Sequence, residues 1–183
     1  MVCFLCLFSV NLIFDRMPLR NIKGEQVSRK EESIIIDKPT LKDTQAIKDL
    51  LDFYAKKQVL LPRSIVEIYE KIRIFWVARD NGKVVGCVGL QFSWNDLAEI
   101  KSLAVSDEYH GKGIGAMLVL RCIEEAKEYG VKQIFALTYV SEFFKKLGFV
   151  SIEKEELPHK IWTECINCQH FPNCDEDAVS MAV

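Results

Sequence analysis

The sequence predicts an α/β (α+β) domain built on a mixed β-sheet with helices on its faces. Segments with the two-residue alternation of strands and segments with the 3.6-residue period of helices follow one another along the chain. The 183 residues, of which 49% are hydrophobic, are also enough to bury a sizeable core in one domain. We therefore expect one folded domain with short extensions at its ends.

Strands are predicted where β-branched and aromatic residues cluster between turn residues. They lie at residues 33–37, 74–79, 83–92, 97–105, 133–137 and 149–152. The first contains a run of three isoleucines, whose branched side chains favour an extended backbone. Because Asn81 and Gly82 tolerate positive φ, the second and third strands are predicted to form a hairpin with a two-residue turn.

Two helices are predicted between the first and second strands. Thr40 followed by Asp43 is typical of a helix N-terminus. Ser64 with Glu67 three residues later forms a capping box, in which the two side chains satisfy backbone N–H groups of the first turn. The predicted order of elements from the first strand to the hairpin is therefore strand, helix, helix.

Two further helices are predicted after the strand at 97–105. One begins at Ile114 and ends at Gly130, which can adopt the left-handed conformation of a helix C-cap. The other is short: Ser141 is expected to cap it, it runs through Lys146, and Gly148 stops it. These two helices separate the last three predicted strands.

Three regions are predicted from these boundaries. Residues 1–32 are apolar up to Phe14 and then polar, which indicates a disordered leader or a mis-assigned start with Met17 as the initiator. Residues 33–157 form the domain. Residues 158–183 form a cysteine-rich tail that is expected to pack on it.

Charge and cysteine content restrict the partners and the compartment. A net charge of −2 gives no basic excess for a nucleic-acid backbone, so nucleic acid is not an expected partner. The apolar start is shorter than the roughly 20 residues that span a bilayer, so a membrane anchor is not expected either. Cys87 and Cys122, two of seven cysteines, lie in apolar periodic segments, which indicates reduced thiols and the cytoplasm. A homodimer is left open.

A glycine-rich loop lies between a predicted strand and a predicted helix, in the run His110-Gly-Lys-Gly-Ile-Gly115. Loop amides and the positive end of a helix can together bind a diphosphate. A β-carbon at Gly113 or Gly115 would hold the phosphates away from these amides, and Lys112 can add charge. The pattern is neither a phosphate loop nor a dinucleotide fingerprint, because it lacks the Gly-Lys-Ser/Thr ending and does not open a βαβ unit.

Two segments resemble the GNAT acetyltransferase family: Leu103-Ala-Val-Ser-Asp-Glu-Tyr-His-Gly-Lys-Gly-Ile-Gly115 and Glu142-Phe-Phe-Lys-Lys-Leu-Gly-Phe149. The resemblance covers about residues 33–152 and implies a mostly antiparallel mixed sheet with helices on both faces, and acetyl-CoA as cosubstrate. It assigns the pantetheine arm to Leu103, Ala104 and Val105, and the pyrophosphate to His110, Gly111, Lys112, Gly113, Ile114 and Gly115. Two positions depart from the family pattern. His110 replaces the usual Arg or Gln. Phe144, which the resemblance places at the cofactor, replaces a tyrosine that often protonates the leaving thiolate.

A closer resemblance is to the short, stand-alone N-acetylglutamate synthase family, which acetylates the α-amino group of glutamate in the first step of arginine biosynthesis. Four segments carry it: Val59-Leu-Leu-Pro-Arg-Ser64, Leu97-Ala-Glu-Ile-Lys-Ser-Leu-Ala-Val105, Phe135-Ala-Leu-Thr-Tyr139 and Glu156-Leu-Pro-His-Lys-Ile-Trp162. The resemblance implies glutamate as the small-molecule substrate. Two alternatives remain: a GNAT enzyme acting on another amine (a different amino acid, a lysine side chain or a protein N-terminus), and a non-catalytic acetyl-CoA-binding regulatory module.

Amide formation from a thioester requires a base for the amine, and the family match gives this role to Glu99. Partial burial would increase the affinity of this carboxylate for protons. Thr138 matches a hydroxyl position of the synthases and Tyr139 is adjacent; either hydroxyl, or an ordered water, is a candidate acid for the thiolate. For the two carboxylates of glutamate, the candidate cations are Arg63, Lys101 and Lys160. If Lys101 does not bind a substrate carboxylate, its charge would stabilise the ionised form of Glu99.

The cysteine-rich tail is a candidate for a structural zinc site. Three thiols and one imidazole lie within ten residues, at Cys165, Cys168, His170 and Cys174. This set is sufficient for tetrahedral zinc, although a reduced Cys-x-x-Cys pair can equally be inert or redox-active. The sequence does not decide between a zinc site and a reduced cysteine pair.

Overall fold

A computed structural model describes residues 34–157 and 173–183, which contain a seven-stranded mixed sheet. The strands are β1 Ile35–Asp37, β2 Phe75–Asp80, β3 Lys83–Phe92, β4 Leu97–Val105, β5 Gln133–Thr138, β6 Val150–Ile152 and β7 Asp177–Ala182. Their order across the sheet is β1-β2-β3-β4-β5-β7-β6. Only the β4–β5 pair is parallel. The predicted α/β class with a mostly antiparallel mixed sheet is confirmed.

The described α-helices are α1 Thr44–Lys56, α2 Ile65–Glu70, α3 Ile114–Glu128 and α4 Ser141–Lys145. The Ser64 half of the predicted capping box of α2 is confirmed, because Ser64 Oγ accepts a hydrogen bond from the Glu67 N–H at 3.1 Å. The Glu67 half does not form, because the Glu67 carboxylate pairs with Arg63 instead. Ser141, in contrast, does not cap α4. It is the first helical residue, and its hydroxyl donates to the Asp177 carboxylate at 2.5 Å, which ties α4 to β7.

Helices cover both faces of the sheet, as predicted. Alternation along β2 places Phe75 and Val77 against α1 and α2, and Trp76 and Ala78 against α3. The α3–α4 side holds the larger cluster of buried apolar residues, because α3 is the longest helix and buries six of its side chains there. The sheet therefore separates two apolar layers, and side chains of β4 enter one or the other by alternation.

Two features of the sheet were not predicted. Strand β7 lies in the predicted tail and pairs antiparallel with both β5 and β6, so part of that tail belongs to the sheet. Strand β4 contains a bulge: Gly89 pairs with Lys101 and Cys87 with Ala104, which leaves Ser102 and Leu103 opposite Val88 alone.

The turn between β2 and β3 has the predicted form, with positive φ at Asn81 (48°) and Gly82 (81°). Gly130 and Gly148 also have positive φ, 73° and 97°, where they end α3 and follow α4. Within residues 34–157 and 173–183 none of the helices is long and apolar enough to cross a membrane.

Candidate active site

The parallel strands β4 and β5 separate into a wedge. They pair only where Leu97–Glu99 lies beside Gln133–Phe135, although β4 continues to Val105 and β5 to Thr138. Beyond Glu99 each strand keeps its outer partner, β3 or β7, but no described strand pairs with the two inner edges. Backbone N–H and C=O groups on these edges are therefore available to a ligand.

The first turn of α3 lies at the open end of this wedge. An added β-carbon on Gly115 would lie 3.9 Å from Val105 at the end of β4 and 3.4 Å from Phe143, which follows β5. This helix has 15 residues, so its N-terminal amides carry a substantial positive partial charge. An elongated ligand in the wedge would meet that charge at one end.

The glycine-rich loop has the backbone that a diphosphate site requires. Gly111 and Gly113 have φ of 75° and 78°, and Gly113 is the N-cap of α3. A β-carbon on either residue would meet no protein atom within 4 Å, so these glycines serve the backbone conformation and leave open space beside the amides. Gly115 differs from the expectation, because its missing β-carbon faces Phe143 instead. The open wedge and this loop fit coenzyme A.

The imidazole of His110 is directed from the loop towards α1 and the end of β4. Its Nε2 lies 2.9 Å from the Val105 carbonyl oxygen and 2.8 Å from the Tyr54 hydroxyl. The Tyr54 hydroxyl also contacts Val105 O and lies 2.8 Å from Asp107, which in turn pairs with Lys57 at 2.9 Å. These contacts join α1, the end of β4 and the start of the loop. We call this group the Tyr54 cluster.

The charges of the Tyr54 cluster are mutually stabilising. Burial, together with the neighbouring Asp107 carboxylate, raises the pKa of Tyr54 above its usual value. Hydrogen bonds from Lys57 and Tyr54 lower the pKa of Asp107. The phenol therefore keeps its proton as a donor, while the carboxylate stays ionised at neutral pH.

Glu99 is the last residue of the paired part of β4, at the apex of the wedge. Its side chain is 13% exposed and forms an ion pair with Lys101 Nζ at 2.8 Å; the Lys101 side chain is 8% exposed. The stem of Lys101 passes over Gly89, whose missing side chain leaves room for it. A carboxylate at this position can accept a proton from an incoming ammonium group.

Arg63 reaches the same face of the sheet from the loop before α2. Its Nε donates to Ser102 Oγ at 2.8 Å, and its Nη1 forms an ion pair with Glu67. Glu99 and Lys101 face the α1–α2 side, because the alternating residues Ala98 and Ile100 enter the α3 cluster. The structure thus brings together three of the predicted site residues on one side of β4.

The two candidate acids do not join this group. Thr138 alternates with Phe135 and Leu137, so it faces the α3–α4 side, and its hydroxyl accepts from the Val140 N–H at 3.0 Å. Tyr139 donates to Asp175 at 2.7 Å, and this bond raises the pKa of Tyr139. A phenol whose proton is held by a carboxylate is a poor acid for a thiolate.

The remaining cofactor assignments divide between exposed and buried positions. Leu103 and Val105 are partly buried on the α3 side, Ala104 is buried on the opposite side, and Ile114 is buried in the first turn of α3. The Lys112 ammonium lies 4.7 Å from the centre of the Tyr109 ring. Phe144 is 3% exposed and packs edge-on against Phe143 and Phe149, so only a small part of its surface is available to a ligand.

Several predicted residues lie outside the described part of the chain: Lys160, Cys165, Cys168 and His170. Cys174 is described, and its thiol lies 3.7 Å from the Glu176 carboxylate. No group of three or more His, Cys, Asp or Glu residues able to hold a metal occurs within the two described ranges. The zinc site therefore stays a prediction.

Sequence reasoning missed Ser102 and Tyr54, which the structure places beside predicted site residues. A partly buried phenol on a helix gives no sequence pattern that separates it from an ordinary packing residue. The bulge at Ser102 did leave a signal, because the buried apolar positions of β4 change from even numbers (Ala98, Ile100) to odd ones (Leu103, Val105).

Comparison with known proteins gives consistent matches. The family model described as Acetyltransferase (GNAT) family matches residues 44–149. An uncharacterized N-acetyltransferase of Chlorobaculum tepidum is 45% identical over 139 residues, 76% of this chain and 90% of that protein. An amino-acid acetyltransferase of Mycobacterium tuberculosis is 38% identical over 133 residues, 71% of this chain and 76% of that protein. The crystal structure of N-acetylglutamate synthase from Neisseria gonorrhoeae, complexed with coenzyme A and N-acetyl-glutamate, matches with a TM-score of 0.76 and 26% identity, over 84% of this chain and 36% of that one.

Proposed function

The chain belongs to the acetyltransferase (GNAT) family and is an acetyl-CoA-dependent acyltransferase, and from this premise we propose that it acetylates the α-amino group of L-glutamate. The product would be N-acetylglutamate, which enters arginine biosynthesis in the cytoplasm. The synthase with coenzyme A and N-acetyl-glutamate supports this choice of substrate. Within the chain itself, the supporting observation is the pair of cations, Arg63 and Lys101, on the same side of β4 as Glu99.

Two cations suit a substrate with two carboxylates. Arg63 offers a planar guanidinium that can bind one carboxylate through two parallel hydrogen bonds. Lys101 is a point charge whose ammonium contacts Glu99 at 2.8 Å. A substrate carboxylate near Lys101 would share that ammonium with Glu99. Lys160 is retained as a third, weaker candidate for the substrate site.

Each part of the site has a defined role in the proposed reaction. The amides of residues 110–115 and the positive end of α3 would hold the diphosphate, and the inner edge of β4 at 103–105 would hold the pantetheine arm. Acetyl-CoA, when bound, supplies a thioester carbonyl for the amine to attack. Glu99 removes a proton from the substrate ammonium, directly or through a water, so that the nitrogen carries a free electron pair. Because Asp175 holds the Tyr139 proton, we propose that an ordered water protonates the departing thiolate. Thr138, whose hydroxyl accepts from the Val140 N–H, stays a candidate acid.

The test is a thiol-release assay with acetyl-CoA and each amino acid in turn. We expect glutamate to give the highest kcat/KM. We expect Glu99→Gln to lower kcat by about 100-fold or more, the usual range for loss of a general base. Glu124→Gln is the matched control, because that carboxylate is 61% exposed and pairs with Arg121 on the surface of α3.

Three results would contradict the proposal. Unchanged turnover in Glu99→Gln would remove Glu99 from the mechanism. Activity with peptides or other amines, but not with glutamate, would make the chain a GNAT enzyme of different specificity. Tight coenzyme A binding without turnover of any amine would favour a regulatory module.

A further inference from the structure

Ser102 occupies an unusual backbone conformation in the middle of a strand. Its φ is 54°, in the left-handed region, and it is one of the two residues that stand opposite Val88 in the β4 bulge. An L-residue other than glycine pays roughly 1–2 kcal/mol for this conformation. Glycine would avoid that cost, so the presence of a serine calls for a contribution from its side chain.

The Ser102 side chain is directed at Arg63, which comes from a loop 39 residues earlier in the chain. The serine hydroxyl accepts from Nε at 2.8 Å, while Glu67 on α2 binds Nη1 of the same guanidinium. The Arg63 side chain is 17% exposed, and the surrounding surface is lined by Ile68, Lys71, Ile74 and Phe75. Two of the three guanidinium nitrogens are therefore held by groups on separate elements.

These contacts define the plane in which the guanidinium lies. Rotation about the last side-chain bonds would break the bond from Nε to Ser102, the bond from Nη1 to Glu67, or both. Within the described residues no hydrogen bond engages Nη2, so its two protons and one proton of Nη1 remain as donors for a carboxylate. Bidentate recognition depends on this orientation, because both donors must align with the two carboxylate oxygens.

We infer that Ser102 is a positioning residue that orients Arg63 to bind a carboxylate of the substrate. The inference rests on the proposed function, since it assigns Arg63 to a carboxylate-bearing acceptor. Ser102 acts through Arg63 and does not itself contact the reacting atoms. It accounts for a serine at a position where the backbone favours glycine.

The test uses two substitutions that remove the same hydroxyl with opposite effects on the backbone. Ser102→Ala keeps the cost of positive φ, whereas Ser102→Gly relieves it. Loss of a hydrogen bond to a charged group corresponds to roughly tenfold or more in an equilibrium constant. We expect both variants to raise KM for glutamate about tenfold, with kcat and KM for acetyl-CoA nearly unchanged. Ser102→Asn, which tolerates positive φ and supplies an acceptor oxygen, should recover part of the loss.

Controls separate this role from a folding defect. Ser151→Ala and Ser151→Gly make the same changes at an exposed residue of β6 and should leave every kinetic constant unchanged. Thermal unfolding should give Ser102→Gly a midpoint at or above that of Ser102→Ala. Calorimetric binding of glutamate in the presence of coenzyme A gives a second readout that does not require turnover.

The outcomes separate the two proposals. If the wild type acetylates glutamate but both Ser102 variants keep its KM, the positioning role is wrong and the proposed function stands. A rise in KM in Ser102→Ala but not in Ser102→Gly would assign the effect to the backbone and also overturn the role. If glutamate neither binds nor reacts, the proposed function fails. The variants are then measured with whichever amine is accepted, and an amine without a carboxylate overturns the positioning role too.

Discussion

The Tyr54 hydroxyl is the residue-scale feature that connects the cofactor loop to the rest of the protein. It contacts the Val105 carbonyl, Asp107 and His110, which belong to the end of β4 and the following loop. Tyr54 itself lies on α1, more than 50 residues earlier. This oxygen atom thus joins α1 to the end of β4 and to the loop that follows it.

We predict that Tyr54→Phe raises KM for acetyl-CoA roughly fivefold and leaves KM for glutamate unchanged. The phenyl ring keeps the packing of α1, but the side chains of Asp107 and His110 lose their contact with the hydroxyl and keep Lys57 and the Val105 carbonyl, respectively, as hydrogen-bond partners in the Tyr54 cluster. The magnitude follows from roughly 1 kcal/mol, the usual net value of one intramolecular hydrogen bond. Steady-state kinetics with each substrate varied in turn would measure it.

Tyr129→Phe is the matched control, because Tyr129 is 68% exposed and lies on the surface beyond α3. It should leave both KM values unchanged. An equal rise in the two KM values for Tyr54→Phe would indicate general loosening of the fold and would contradict a role confined to the loop.

At the scale of elements, the junction between the glycine-rich loop and α3 determines cofactor binding. Gly113 has a φ of 78° and open space beside it, and Gly82 in the β2–β3 turn has a φ of 81° and equally open space. The two glycines thus have the same left-handed backbone conformation at different places in the fold. Only Gly113 adjoins the amides at the start of α3.

We predict that Gly113→Ala and Gly82→Ala each lower the free energy of unfolding by about 1 kcal/mol, the cost of a β-carbon at positive φ. Only Gly113→Ala should also raise KM for acetyl-CoA, by roughly tenfold, because its new methyl group occupies the space next to the loop amides. Chemical denaturation and kinetics measure the two effects separately. Cofactor affinity reduced equally by both substitutions would show that the loop amides are not the binding site.

Most elements followed from local sequence signals, because those signals act over a few residues. The bounds of β3 and β4 and the start of α3 agree with the prediction, since alternation, a two-residue turn and a glycine loop mark them. Strand β7 was missed because its pairing partners, β5 and β6, are distant in sequence and its own pattern is short. The resemblance to known families supplied Glu99, Arg63 and Lys101 as candidates. No local pattern specifies that β4 and β5 part after Glu99, because that wedge results from their different outer partners.

At the scale of the whole molecule, Arg79 links the beginning of the described domain to its sheet. Its Nη1 and Nη2 donate to the two oxygens of Asp43 at 2.8 and 2.9 Å, and its Nε donates to Asp37 on β1 at 2.8 Å. Asp43 also accepts from the Thr40 N–H at 2.7 Å in the turn that starts α1. The side chains of Arg79 and Asp43 are each 15% exposed, so solvent screens this pair less than a surface pair. The network joins β1, β2 and the start of α1.

We predict that Asp43→Asn lowers the free energy of unfolding by about 2 kcal/mol at pH 7, the usual value for hydrogen bonds to charged groups. Hydrogen bonds from Arg79 hold the pKa of Asp43 well below its usual range. A carboxyl whose pKa is lowered in the folded state stabilises the fold at pH values above its unfolded pKa of about 3.9, and this contribution is lost as the pH falls towards the folded pKa. The difference between wild type and variant should therefore be constant near neutrality and shrink progressively below about pH 4.

Denaturant unfolding at a series of pH values would measure this dependence. Asp52→Asn is the control, because Asp52 forms an i,i+4 pair with Lys48 and is 35% exposed, and such pairs contribute about 0.5 kcal/mol or less. KM values should be unaffected in both variants, since within the described residues no hydrogen bond or ion pair joins Asp43 or Asp52 to the Tyr54 cluster, Glu99 or Arg63. A difference for Asp43→Asn that stayed constant down to pH 2 would mean that side-chain shape, and not the ionised carboxylate bound to Arg79, stabilises this part of the molecule.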